Sequence, residues 1–541
     1  MKRRLSFLFI ACLLVSSIFG SNVLAANWDE LRGGQMVLRI GSSVNNLLSG
    51  FEGHMDEYTV TRLLYDAPFQ WIGVGEYRPQ LGKTWEMLDN NQRIRITLRD
   101  DLNWYDGTPI TAEDLHFSWY WWKETNELHN MGPNFDENIE KVEIIDDLTV
   151  DFHLTKPNPA FFDDVARQAI LPKHLFKDVD PKDIKGHPWL ANPPIEAASG
   201  PYVIEEIVPN ERIVLRRNEN WHGRPAAGPD WPQAFDEWPD KSLLDRIVFL
   251  HVPDADTARL MFEKGEIDVF SPVAKDVDRF LEEAKQGKWN YKVIPNRGYS
   301  APLLNHRHPA LADQRVRQAI VQAIDFDLLI DVVYEGKAIR AVLPVAPQMW
   351  VYENDKVKEK MVIYDYDPDN ARRLLKEAGY GDGLSLTMKM SSASGSLLAE
   401  TLQYMWKEVG IDVRLEIVEW GSLLDQVNNA DYEIASFGWA TGGFPDVNAW
   451  SDKSEEDLKS GWQVGYVNPK LHELQDLINT TTTREEQAEY FAEGYEIWTR
   501  DVPVLMLVHT NAYWFWNPRI GGFSPTETDY TVDGPVWYIK K

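Results

Sequence analysis

An α/β fold of two lobes joined by a two-stranded hinge is what this sequence predicts, and three observations carry it. Residues 384–437 alternate between period-two and helical apolar spacing, and residues 246–270 do so again more than a hundred positions earlier. Between these units runs an extended stretch, 293–305, marked by Pro295 and Pro302. Finally, the tail carries a strand run at 504–508, and a tail strand can only add to sheet that earlier chain has formed. A chain that crosses between lobes twice makes a hinge, and hinged lobes close on ligand.

The chain opens with Lys2, Arg3 and Arg4, an apolar run over 5–20, and small residues up to Ala25. That pattern predicts a secretory leader over 1–25, too short and serine-broken to span a bilayer. Cys12, the single cysteine of the 541 residues, lies inside it. Too little apolar sequence precedes Cys12 for an acylated anchor, so an exported chain without disulfides or thiolate chemistry is expected. Its localisation would be periplasmic or at the cell surface. Formal charge is −29, which argues against nucleic acid and anionic lipid as partners. Beyond the leader no run of about 18 apolar residues occurs, so a soluble mature chain is expected.

In order, 36–40 predicts a strand, 41–46 a polar loop, 56–65 a helix and 93–98 a strand. Residues 104–107 form a turn, and Thr111 with Asp114 a capping box that opens an aromatic helix containing Phe117, Trp119, Trp121 and Trp122. Residues 141–154 predict a hairpin, 157–194 irregular chain, and 202–206 and 212–216 strands. A long loop rich in Trp, Pro and Gly covers 221–239. A strand at 246–250, a helix capped by Asp254 and a strand at 266–270 form the first parallel unit. After the 293–305 crossing, a long helical pattern runs through Val316, Ile320 and Ile324. Strands at 384–390, 411–417 and 432–437 alternate with helices around 398–409 and 422–429 as a parallel βαβαβ unit. The acidic stretch 365–369 resembles a calcium loop, yet Lys376 stands at its twelfth position and cannot ligate. Asp367 as N-cap with Pro368 fits better, and Gly379 suits the helix end. His306 and His308 lack further ligands nearby, so no metal is expected. Nucleophile elbows, zinc-protease helices and phosphate loops are missing from the sequence.

The stretch 437–446, Phe-Gly-Trp-Ala-Thr-Gly-Gly-Phe-Pro-Asp, follows the last strand of the βαβαβ unit. Ligands in open α/β sheets bind beyond such carboxyl ends, so this loop is the candidate binding segment, although Trp439 and Phe444 could equally cap a core.

Several segments together resemble family 5 of the extracytoplasmic solute-binding proteins, the dipeptide, oligopeptide and oligosaccharide receptors of ABC importers. These are 98–115 around Trp104, Tyr105, Asp106 and Gly107; Ser199 to Tyr202 with Arg212 to Asn220; Lys264 to Asp268; Val316 to Asp325; Tyr366 to Tyr380; and Val409 to Val413. The resemblance covers nearly the whole chain beyond the leader. It implies a periplasmic-binding-protein-like type II fold with an extra subdomain in the first lobe. The expected division is 26–297 plus 509–541 as lobe 1, with about 60–190 as the subdomain, and 298–508 as lobe 2. It further implies a monomer that encloses a small solute without covalent chemistry or cofactor and delivers it to a membrane permease.

In peptide receptors of this family a carboxylate three residues after the loop tryptophan holds the peptide's ammonium end; here that position is Gly442. A buried ammonium without its partner forfeits a charge-assisted hydrogen bond of ~1.5 to 3 kcal/mol. Asp446 could compensate if the loop folds differently. An oligosaccharide stacked on Trp439 is therefore the expected cargo, since sugars want flat aromatic faces and neutral hydrogen-bonding groups. Trp420 and Trp514 are further aromatic candidates; Asn45, Asn46, Asn305, Thr441 and Asn448 are polar ones. Lys389, near the end of a strand where peptide receptors place a basic residue, keeps an oligopeptide as the alternative. A secreted carbohydrate-active enzyme using two carboxylates is the reading from a different class.

Overall fold

A computed structural model describes residues 28–52, 55–73, 76–125, 138–158, 168–184, 186–224, 238–391, 396–440, 444–458, 464–481, 483–526, 531 and 533–541. The expected leader over 1–25 and most of the loop over 221–239 lie outside them.

The first lobe is built on the sheet Gln35–Ile40, Arg246–His251, Arg212–Arg217, Tyr202–Val208, in that spatial order. Its first pair is parallel and the others antiparallel. Beside it stands a four-stranded antiparallel sheet made of Gly82–Leu88, Arg93–Leu98, Thr149–Leu154 and Ile139–Asp146. The helix Ala112–Thr125 closes this sheet, entered through Thr111, whose N–H donates to Asp114 Oδ2 at 3.0 Å. Trp119, Trp121 and Trp122 are buried, with Trp119 edge-on to Phe152 at 5.1 Å, while Tyr120 faces out. One apolar core runs through both sheets, which is why the aromatic helix is apolar nearly all round.

The second lobe contains the βαβαβ unit. Leu384–Ser391 lies between Ile411–Val418 and Ile434–Ala435, parallel to both, with helices Leu397–Lys407 and Trp420–Asn428 as crossovers. Asp367 caps the helix Pro368–Glu377 by accepting from Asn370 N at 2.8 Å, and Gly379 follows that helix at φ 94°.

Between the lobes lies a separate sheet. Its two long strands, Asn290–Ser300 and Val508–Trp516, run antiparallel from Asn290 opposite Trp516 to Ser300 opposite Val508. Their register shifts between Pro295 and Tyr299. Proline donates no N–H, so the ladder breaks where it stands. At one end this pair packs on the core holding Phe262, Phe280 and Phe515; at the other Val508 and Tyr299 enter the second lobe's cores.

Two expectations change here. The strand after the Asp254-capped helix, Val269–Phe270, pairs with Val508–Trp516 and not with Arg246–His251, so the first unit is divided between two sheets. Local periodicity marks a strand but carries no information on its partner. The tail strand begins at Val508; residues 504–507 are extended and attached by Leu505 N to Pro302 O and Leu507 N to Ser300 O.

Candidate functional site

The segment expected as a loop from 437 starts as a strand. Gly438–Ala440 leaves the second lobe's sheet and pairs with Gly298–Ser300 on the crossing strand, placing Trp439 opposite Tyr299. Trp439 Nε1 donates to Ala301 O at 3.0 Å, and its ring meets Trp450 edge-on with centroids 4.4 Å apart. Phe437 packs on its other flank at 5.6 Å, and Phe444 is half-buried on the same core. Trp439 is thus part wall and part core, half-buried overall.

Asp446 follows. Its carbonyl accepts from the Tyr495 hydroxyl at 3.0 Å. Its side chain is exposed to solvent although protein atoms crowd around it. Desolvation pushes its carboxyl up to about 6, opposed only by a backbone hydrogen bond from Ala449. Among the described residues no Lys, Arg or His pairs with it. Burial also raises the Tyr299 and Tyr495 hydroxyls, each raised further by the Asp446 charge, so both stay neutral donors. Trp450 bonds the Tyr299 hydroxyl from a left-handed backbone at φ 65°, a conformation costly for a bulky residue. Such strain persists where surrounding structure enforces it, here the packing of Trp450 against Trp439 and Tyr299.

His509 sits in the return strand directly opposite Tyr299. It is 2% exposed, its Nδ1 lies 3.1 Å from Gly298 O, and Tyr299 and Tyr352 flank its ring edge-on. The carbonyl can only accept, so Nδ1 carries the proton. Nε2 is buried without a partner among the described residues, and burial holds the imidazole at about 4, hence neutral.

The other sequence candidates are spread more widely. Thr441 and Gly442 lie outside the described residues, as does the side chain of Trp420, which opens the helix Trp420–Asn428. Asn448 donates to His472 Nδ1 at 3.1 Å while His472 Nε2 donates to Ser451 O at 2.8 Å, fixing the chain just after Asp446. Asn45 and Asn46 give their backbone N–H groups to Glu57 Oε1, both at 2.8 Å, tying the 41–46 loop to the helix Met55–Leu64. Asn305 is buried, donating to Ala430 O and Tyr432 O at 3.2 and 2.7 Å. Lys389 is buried too, and its ammonium bonds Asp431 through the carbonyl at 2.6 Å and the carboxylate at 3.2 Å. That contact directs it toward the start of the neighbouring strand, away from the end where 438–446 departs. Trp514 packs half-buried against the first lobe's core, and Trp516 lies 5.2 Å from Phe523. Of the expected set, Trp439 and Asp446 each neighbour Tyr299, and Asn448 fixes the chain just after Asp446.

Tyr299, Trp450, Tyr495 and His509 were not among the sequence candidates. Tyr299 stands in the 293–305 crossing, and its period-two spacing from Arg297 and Ala301 could have marked which face it shares. Nothing local marks Tyr495, on a helix 49 positions after Asp446.

Among the described residues no group of three or more acidic, His or Cys side chains could hold a metal, and no helix is long and apolar enough to cross a membrane.

The chain as a whole has known relatives. The oligopeptide-binding protein AppA of Bacillus subtilis is 24% identical over the full length of both chains. The dipeptide-binding protein of Escherichia coli is 26% identical over 82% of each. The structure of AppA in complex with a nonapeptide superposes with a TM-score of 0.78 at 22% identity, covering 94% of this chain and 99% of that one. Such likeness speaks for a two-lobed fold of the same kind. The model of the bacterial extracellular solute-binding proteins, family 5 Middle, matches residues 76–456, and this chain belongs to that family of solute-binding proteins.

Proposed function

We propose that the protein is the exported substrate-binding receptor of an ABC importer and that its cargo is a short peptide whose ammonium end is held by Asp446. The observation that carries this reading is the Asp446 carboxylate itself: solvent-accessible, crowded by protein, and without a described cationic partner. An ammonium would supply the charge that desolvation makes costly to leave alone. Asp446 would thereby replace the carboxylate missing at Gly442. AppA and the E. coli relative, both named for peptide binding, support the same class of cargo.

An oligosaccharide stacked on Trp439 is less well supported, because that indole is already bonded to Ala301 O and abutted by Trp450. In our reading 26–297 and 509–541 move against 298–508, the solute is released unchanged to a membrane permease, and no covalent step occurs.

Titration calorimetry with di- to pentapeptides, each free and N-acetylated, tests this. Free peptides should bind, and acetylation or Asp446→Asn should each weaken binding about tenfold or more, about 1.4 kcal/mol. Heat from β-linked oligosaccharides with none from any peptide would overturn it. Because the free carboxyl titrates near 6, affinity for a free-amine peptide should rise about tenfold between pH 5 and pH 7, and Asp446→Asn should abolish that slope.

A further inference from the structure

Residues 446–451 form neither helix nor strand, yet two helices hold them at nearly every position. From the helix Arg484–Asp501, the Tyr495 hydroxyl donates to Asp446 O at 3.0 Å and Trp498 Nε1 to Ala449 O at 2.8 Å. From the helix Pro469–Thr480, Gln475 Oε1 accepts from Val447 N at 2.8 Å, and His472 bonds both the Asn448 side chain and Ser451 O. Ala449 N in turn donates to the Asp446 carboxylate. The direction of that carboxylate is therefore set by how firmly 447–449 are held. Gln475 is buried, and its amide nitrogen donates to Asn479 Oδ1 at 2.9 Å, which turns the oxygen toward Val447. Gly494 is an independent observation. It stands inside an 18-residue helix, where glycine is less favourable than alanine. A Cβ there would lie 2.7 to 3.0 Å from three side-chain atoms of Val447, so only glycine lets the helix and the segment come this close.

We infer that Gln475 and Gly494 are positioning residues of the candidate site: they lock Val447 against the two helices and so aim the Asp446 carboxylate before cargo arrives. Both act through Val447 and not by contact with the solute. A segment held ready in this way has little left to order on binding, which lowers the entropic cost of capture. Tyr495 and Trp498 belong to the same clamp, but both also fill the second lobe's core, so their loss would disturb far more than the site. Gln475 and Gly494 can be changed with little loss of apolar contact.

The inference rests on the reading of Asp446 as the ammonium ligand, and its test separates the two. Calorimetry on the full-length protein would compare free and N-acetylated tripeptides. In the parent the free peptide should bind about tenfold tighter. Gln475→Leu, which removes the acceptor, and Gly494→Ala, which forces Val447 to move, should each reduce that preference to within about twofold while leaving the acetylated peptide bound as before. Gln475→Glu keeps an acceptor for Val447 N and should keep the preference, with Asn479 turning its amide to donate. Near-UV circular dichroism would verify each fold. A merely structural role would weaken both peptides together. That result overturns the inference, as does a preference that survives Gln475→Leu or Gly494→Ala, or one that is lost in Gln475→Glu. If the parent shows no preference for the free peptide, the ammonium reading fails alone, and positioning is decided without cargo. Carbon-13 NMR of the carboxyl, assigned with Asp446→Asn, should then show a midpoint near 6 in the parent that falls toward an ordinary aspartate in both Gln475→Leu and Gly494→Ala, because a loosened segment admits water. An unmoved midpoint overturns it.

Discussion

Asn305 illustrates how a side chain suited to solute binding can be spent on the fold. Its amide donates to two carbonyls beneath the strand Ile434–Ala435, and its oxygen accepts from Arg307 N at 3.1 Å. Asn305→Ala removes the amide donor from one buried and one part-buried carbonyl, so a loss of about 1 to 3 kcal/mol in urea unfolding is expected, with peptide affinity within about twofold of the parent. Lys389, bonded to Asp431, belongs to the same class. Residue type alone does not separate these from Asp446, because the deciding factor is whether backbone carbonyls from another stretch arrive first. The place of Trp439 just after the strand Ile434–Ala435 was legible from its position behind an apolar run. Tyr299 reaches Trp439, and Tyr495 reaches Asp446, from a strand and a helix far away in the chain, a distance no local pattern records.

At the scale of elements, the parallel βαβαβ unit was legible because its apolar period switches sharply between strand and helix. The hinge strands were legible as strands, from prolines before and an apolar tail run after. Strand pairing was less so: Gly438–Ala440 is captured by the open edge of the crossing strand, which three residues of sequence cannot announce. His509 gives the hinge a measurable property. Its folded-state value lies near 4 against an ordinary 6.5, so below pH 6.5 the unfolded chain takes up the proton first. Stability from this group is full above 6.5 and declines as pH falls toward 4, by on the order of 3 kcal/mol. Urea midpoints at pH 7, 5.5 and 4.5 should show a shallower acid limb in His509→Gln than in the parent. Parallel limbs would place the titration elsewhere.

For the whole molecule, ion pairs among the described residues include two that link the segments proposed as separate lobes. Lys156, just beyond the strand Thr149–Leu154, meets Asp476 on the helix Pro469–Thr480 at 3.0 Å. Lys337 meets Asp278 on the helix Ala274–Lys285 at 3.1 Å. Exposed pairs are worth ~0 to 1 kcal/mol, enough to bias an opening equilibrium without fixing it. Lys156→Glu should raise the radius of gyration of the unliganded protein in X-ray scattering and weaken solute binding by less than about fivefold. An unchanged scattering curve would mean the pair is incidental. Two-lobed organisation could be read from three stretches of sequence. These contacts could not, since each joins surfaces that meet only after both lobes are built.

The pairing of Gly438–Ala440 with Gly298–Ser300 has a kinetic consequence. Amide hydrogens on those short strands exchange with water only when the sheet frays locally. A solute resting against Trp439 and Asp446 would hold one edge of that sheet in place. Its arrival should therefore slow deuterium uptake at the amides of 298–300 and 508–510, residues it never touches, in proportion to its occupancy. The pivot would report on the cargo as a labelled sensor might, with the backbone itself as the wire.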